Sequence, residues 1–418
     1  MRRLLSTIPR MIGRALAAIL LLSSFAAPVG ATPLEDANAA ADGGDYAKAM
    51  QLLRPLAEQG DAAAQYNLGV MFYVGQGVAR NAAEAAKWFG KAAEQGDLNA
   101  QYNLGVLYDH GLGVAQNDAE ALKWYRRSAE QGFAPAETNL GGMYDHGRAV
   151  PLDHAEALRW YRKAADQGLA PAQFNLGAMY YNGQGVAQDT TEAITWCRKA
   201  AEQGFAMAQN YLGQIYVDGP AEDYAEAVKW FRKAADQGNA DGQLNLGLRY
   251  DNGEGVPQNY AEAMKWYRLA ADNGKPGAMY GIALMYDNGK GVAQNFGEAI
   301  NWYRKAAEQG FPPAESNLGL MYQSGKGVPQ DYAEAANWYR KAAEQGLTTA
   351  QTNLGNLYID GRGVPLDRVH AYMWLSLAAA RGDPNAETIQ QRVAKALTPA
   401  EITEAQRLAA EWKPGAAH

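Results

Sequence analysis

The chain has 418 residues, 45 of them Gly and one Cys, and a formal net charge of −7; its length would hold two or three ordinary domains, but this composition does not argue for one compact core. Residues 1–31 contain Arg2, Arg3, Arg10 and Arg14 and no acid, so their removal takes the charge from −7 to −11. An acidic product of that kind is poorly suited to nucleic acid or anionic lipid, and the lone Cys197 excludes a disulfide framework within the chain.

The first predicted element is a secretory signal. A basic start, a largely apolar run from Ala15 to Ala27 and the small residues Val29-Gly30-Ala31 form the expected leader and cleavage site. The run is too short to cross a bilayer of ~30 Å as a helix. No cysteine follows for lipid attachment, so the expected product is periplasmic or secreted, with no stable membrane insertion after signal removal. Residues 32–60 read as a partial, capping repeat: a short helix over 34–42, then a helix from Asp45 to Gly60 with Leu52-Leu53 on its apolar face.

Residues 61–383 repeat. Gly69, Gly105, Gly141, Gly177, Gly213, Gly247, Gly319 and Gly355 each follow a leucine, with Ile282-Ala283 filling the missing place. Trp88, Trp124, Trp160, Trp196, Trp230, Trp266, Trp302, Trp338 and Trp374 keep the same beat of 36 residues, with one step of 34. Such a period means stacked supersecondary units, none of which buries its apolar face alone.

One copy shows why the unit is a helix pair. Ala100, Leu104, Leu107 and Tyr108 share a helical face, with Gly105 on it where a side chain would block close approach. Gly111-Leu112-Gly113-Val114 then breaks the helix. Asn117-x-x-Glu120 predicts a reciprocal capping box for the second helix, and the same spacing recurs at Asn81, Asp153, Asp189, Asp223, Asn259, Asn295 and Asp331. Ala121, Trp124 and Tyr125 follow at helical spacing, and Gly132 ends the helix. The fifth copy lacks the glycine turn, running Val217-Asp218-Gly219-Pro220-Ala221-Glu222. Residues 384–418 read as terminal caps, with Ala386, Ile389, Val393 and Leu397 on one stripe and a last helix starting at Thr398-Pro399-Ala400-Glu401.

The patterns NLGVLYDHGLGV and DAEALKWYRRSAEQG resemble Sel1-like repeats, relatives of tetratricopeptide repeats with a longer turn between the helices. The resemblance covers about residues 34–383. It implies an all-α fold, a right-handed α-solenoid of about nine to ten stacked helix-turn-helix repeats, and a role as a non-enzymatic adaptor, scaffold or regulator in a bacterial envelope. A protein or peptide is the expected partner, and no cofactor is expected. Some exported relatives carry two cysteines in each repeat and have been linked to β-lactam binding or hydrolysis. Those cysteines are absent here, so cell-wall or β-lactam chemistry is the alternative reading, with a secreted host-interaction factor beside it.

Chemistry-bearing residues have bland explanations. The tetrapeptide YDHG occurs at Tyr108–Gly111 and again 36 residues later at Tyr144–Gly147, which makes it an echo of the repeat. No metal site is expected from two Asp-His pairs on separate repeats. Cys197 stands where most copies have an aromatic and should pack as a small hydrophobe. Arg381-Gly382-Asp383 contains the repeat's own helix-ending glycine.

The sharper signal lies in positions that vary on the first helices, away from the packed face. They nominate a partner-binding groove of Tyr66, Tyr73, Tyr102, Asp109, His110, Asp145, His146, Phe174, Tyr181, Asn182, Asp251 and Asp287. Aromatics interleaved with acids suit a partner segment with apolar anchors and basic flanks.

Overall fold

A computed structural model describes residues 32–219 and 222–415; the predicted leader and the centre of the fifth turn lie outside them. Regular structure among the described residues is helical throughout, in 22 helices, and falls into two compact units divided between Leu152 and Asp153. The first unit contains α1 (Pro33–Asp42), α2 (Tyr46–Glu58), α3 (Ala62–Val74), α4 (Ala82–Glu94), α5 (Leu98–His110), α6 (Asp118–Glu130) and α7 (Ala134–His146).

The second unit begins with α8 (His154–Asp166), α9 (Ala170–Asn182), α10 (Thr190–Glu202), α11 (Ala206–Asp218), α12 (Tyr224–Asp236), α13 (Ala240–Asn252) and α14 (Tyr260–Asp272). It continues through α15 (Pro276–Asn288), α16 (Phe296–Ala307), α17 (Pro312–Ser324), α18 (Tyr332–Glu344), α19 (Thr348–Asp360) and α20 (Arg368–Ala379) to the caps α21 (Pro384–Ala394) and α22 (Pro399–Glu411). Within each unit a helix packs on its neighbours in chain order. Odd-numbered helices from α3 to α19 are the first helices of repeats and even-numbered ones the second.

The recurring glycine works as a contact surface. A Cβ on Gly105 would stand 2.7 Å from the Tyr125 ring, and one on Gly247 2.7 Å from the ring of Tyr267. The second-helix aromatic therefore lies against bare first-helix backbone. That packing offsets the ~1 kcal/mol helical cost of glycine.

The second turn glycine joins neighbouring repeats. Gly113 has φ +72, and a Cβ there would run into the Ala82–Ala83 backbone at the start of α4. The next copy places Ala149 in this position at φ 57, beside Arg148, which pairs with Asp118 of α6 at 2.6 Å.

The capping prediction needs correction. Asn117 Oδ1 does accept from the amides of Ala119 and Glu120 at 3.0 and 3.1 Å. The glutamate does not reach back: Glu120, Glu192, Glu226 and Glu262 instead accept from Nε1 of the tryptophan one turn on, at 3.0–3.1 Å. An indole N–H beside packed surface needs a partner, and i,i+4 spacing presents the carboxylate to it. Reciprocal boxes form at Thr32–Glu35 and Thr398–Glu401. On the outer side of the tryptophans, Lys163, Lys199, Lys305 and Lys341 lie 3.9–4.0 Å from ring centroids.

The C-terminal helices pack on the last repeat. α21 and α22 both pack on α20, and Trp412 meets Trp374 edge-on at 6.3 Å. The Arg381-Gly382-Asp383 tripeptide is consumed by this closure: Arg381 stacks on Trp412 and donates to the Gly346 carbonyl at 2.7 Å, while Asp383 caps α21 and accepts from Thr352 at 2.7 Å. Cys197 is fully buried, and burial pushes its thiol up to about 12.

Candidate interaction surface

The nominated acids sit on the first helices, and three of the four, Asp109, Asp251 and Asp287, are tied to the scaffold by second-helix tyrosines. Tyr125, buried on α6, donates its hydroxyl to Asp109 Oδ2 at 3.1 Å. Tyr267 does the same to Asp251 at 3.2 Å and Tyr303 to Asp287 at 3.1 Å, while Tyr339 donates to Gln323 at 2.7 Å. Burial first, then the adjoining carboxylate, hold the Tyr125, Tyr267 and Tyr303 phenols well above their ordinary range. Asp109 also pairs with Arg148. The expectation that Asp109 lies off the packed face is therefore corrected: a buried hydroxyl demands an acceptor, and the first helix supplies it.

The sequence carries this pairing as a matched change between the two helices of a repeat. Where the second helix has Phe89, Cys197, Phe231 or Leu375, none with a hydroxyl, the first helix has Tyr73, Tyr181, Val217 or Ile359 in place of the acceptor. The two positions change together from repeat to repeat.

The aromatic residues divide. Phe174 is 7% exposed and packs edge-on against Phe205 and Tyr211 at 5.7 and 5.4 Å, so it belongs to the core. Tyr66 and Tyr102 are half-buried against Phe89 and Tyr125, and Asn103 and Asn139 of the following repeat stand beside their hydroxyls. Tyr73 lies under the Arg80 guanidinium, 5.4 Å from its ring centre. Tyr181 stacks edge-on with Tyr211 at 5.8 Å, and Asn182 reaches the same hydroxyl at 3.4 Å.

Of the histidines, His110 is exposed, and exposed His146 places Nδ1 2.9 Å from the Gly142 carbonyl and 3.8 Å from Asp145. Among the described residues no group of three His, Cys, Asp or Glu could hold a metal ion. The helix ends stay open to solvent: His110, His146, Asn182, Asp218, Asn252 and Asn288 all end first helices and are exposed.

Leu248, Leu284 and Leu320 occupy one first-helix position in three successive repeats; the first two are partly buried and Leu320 is 49% exposed.

A recurring glutamine ladder joins neighbouring repeats. Gln65, Gln101, Gln173, Gln209, Gln243 and Gln351 are buried, and each donates to the carbonyl eight residues earlier, on the preceding second helix, at 2.9–3.4 Å. Glu315 takes this place in α17; it accepts from Gln345 at 2.8 Å, and burial raises its carboxyl to about 7.

Ten consecutive segments, 42–61, 62–97, 98–133, 134–169, 170–205, 206–239, 240–275, 276–311, 312–347 and 348–383, match the family model described as Sel1 repeat. The crystal structure of c5321, described as a protective antigen present in uropathogenic Escherichia coli strains displaying an SLR fold, is 34% identical, with 91% of this chain and 94% of that one covered and a TM-score of 0.55. A Sel1 repeat protein from Oxalobacter formigenes is also 34% identical, over 58% of this chain and 97% of that one, with a TM-score of 0.54. No match was found among curated proteins.

Proposed function

The chain belongs to the Sel1 repeat family, a fold commonly used as a protein–protein interaction scaffold, and we propose that it acts as a non-enzymatic adaptor or regulator in the bacterial envelope. Its partner is a polypeptide segment held along the exposed face of the first helices. The observation that carries this reading is the division of labour on those helices. Tyrosine hydroxyls, glutamines and asparagines are spent inside the scaffold, while the residues that vary at the exposed helix ends, and the exposed Leu320, have no comparable packing role.

The basic, apolar leader at residues 1–31 supports export. The single thiol is buried and its pKa is raised, which supports a role without nucleophilic cysteine chemistry. A secreted host-interaction role is the second reading, favoured by the description of the 34% identical c5321 as a protective antigen.

Affinity capture from the native envelope, followed by mass spectrometry, tests the proposal. One reproducible protein partner is expected. Recovery of cell-wall fragments instead, or saturable β-lactam binding by the purified chain, would replace the scaffold with a ligand-binding or hydrolytic role.

A further inference from the structure

We propose that Glu315 makes the joint between α16 and α17 a pH-sensitive flex point of the array, held while its carboxyl carries the proton and loosened when the proton leaves. The joint is a property of the stack itself and does not depend on what the first helices bind.

A rung of the glutamine ladder does two things. Gln101 donates Nε2 to the Ala93 carbonyl at 3.1 Å and accepts from Gln131 at 2.8 Å. Gln173 and Gln209 repeat the pair, with Gln203 and Gln237 as the donors to them. One side chain thus ties a first helix to the second helices before and after it.

Glu315 is 3% exposed and keeps the acceptor half of this role, taking Gln345 Nε2 at 2.8 Å. The donor half depends on its proton. The corresponding carbonyl, eight residues earlier, is that of Ala307, the last residue of α16. A protonated carboxyl donates to it as a glutamine amide does, whereas a carboxylate only accepts. Ionisation also adds negative charge beside the C-terminal end of α16, where the helix dipole disfavours it.

The surroundings do little to hold the ionised form. Glu315 is the only Asp, Glu, Lys, Arg or His on α17. On α18, Lys341 and Glu344 act on it with opposite signs. On α16, Lys305 and Glu308 are exposed, and Arg304 is engaged with the Tyr322 hydroxyl at 3.1 Å. Burial outweighs Lys341 and the Gln345 hydrogen bond, so the proton stays on up to about 7. The rung's contribution is therefore present at acidic pH and lost as pH rises through that value.

The preceding rung gives no support. Met279 takes the glutamine place in α15; it has no amide to donate, and Gln309 reaches only its sulfur, at 3.5 Å. Once Glu315 ionises, two successive first helices lack the donor to the second helix before them. Loss of a proton at one buried side chain then acts on an element already weakly tied. Glu137 occupies the same place in α7, in the other compact unit, and is left unchanged by the variants below.

Hydrogen–deuterium exchange of the full mature chain tests the joint, read by peptide mass spectrometry at about pH 5.5 and about pH 8.5 with labelling times matched for the intrinsic exchange rate. Peptides from 296–324 should lose protection by about tenfold or more at the higher pH, while those from α11 and α12, between glutamine rungs, should change by less than about threefold. Glu315→Gln supplies the donor at every pH and should abolish the difference. Met279→Gln restores the neighbouring rung with a group that does not titrate, and should leave the difference in place. Equal protection of 296–324 at both pH values, a loss that persists in Glu315→Gln, or one that Met279→Gln removes would overturn the proposal. So would a loss of equal size in α11 and α12, since the array would then be opening as a whole and not at this joint.

Discussion

Removing the Asp109 carboxylate strands the buried hydroxyl of Tyr125 and leaves Arg148 with Asp118 alone. Asp109→Ala should therefore lower stability by ~1–3 kcal/mol, while His110→Ala, on an exposed side chain, should stay within ~0.5 kcal/mol. Urea midpoints that coincide for the two variants would contradict the assignment. Ala149 offers the opposite change. Its φ of 57 lies in the region that glycine occupies without a Cβ penalty, so Ala149→Gly should stabilise by ~0.5–1 kcal/mol, net of the extra freedom given to the unfolded chain; thermal unfolding that is unchanged or earlier would argue against strain there. Glu315 adds a pH dependence. In the unfolded chain its carboxyl ionises near ~4.3, and in the folded chain near about 7. Its contribution is complete below the unfolded value and is lost as pH rises through the folded one. Glu315→Gln should thus match the parent at about pH 4 and exceed it by about 1–2 kcal/mol at about pH 8.5. A pH-independent difference would contradict a neutral buried carboxyl.

At the scale of the helix pair, stability comes from rings lying on bare backbone. A Cβ on Gly177 would stand 2.5 Å from Cys197 Sγ and 3.1 Å from the Ala193 carbonyl. Gly177→Leu should overpack this contact and cost ~1–3 kcal/mol, read as a shifted denaturant midpoint with an unchanged slope; an unshifted midpoint would misplace the packed face. Such contacts were legible because they recur: glycine, tryptophan and the Asx caps fall on a fixed period, and the period alone locates helices, turns and core. The individual side-chain partners were harder to read. Asn117-x-x-Glu120 fits a capping box by spacing, but spacing does not reveal that an indole N–H competes for the glutamate. Phe174 varies in type from its equivalents and so resembled a groove residue, yet Phe205 and Tyr211 enclose it. Variation marks binding positions only where no neighbouring side chain varies to match, and the Tyr125–Asp109 and Phe89–Tyr73 pairs show such matching.

For the molecule as a whole, no disulfide within the chain is available to hold the array, since Cys197 is alone. Stability rests on stacking between neighbours, with terminal helices closing the last repeat. The acidic balance favours basic partner segments, and the export proposed from residues 1–31 would put their encounter outside the cytoplasm. The central claim is that the first-helix face, and not the lysine-covered face of the second helices, meets the partner. Site-specific photo-crosslinking in native cells tests it most directly, with the photoreactive residue placed at Leu284 on α15 or at Lys305 on α16. A discrete adduct with one protein from position 284 and none from position 305 is the predicted result; adducts of equal yield from both, or from 305 alone, would contradict it.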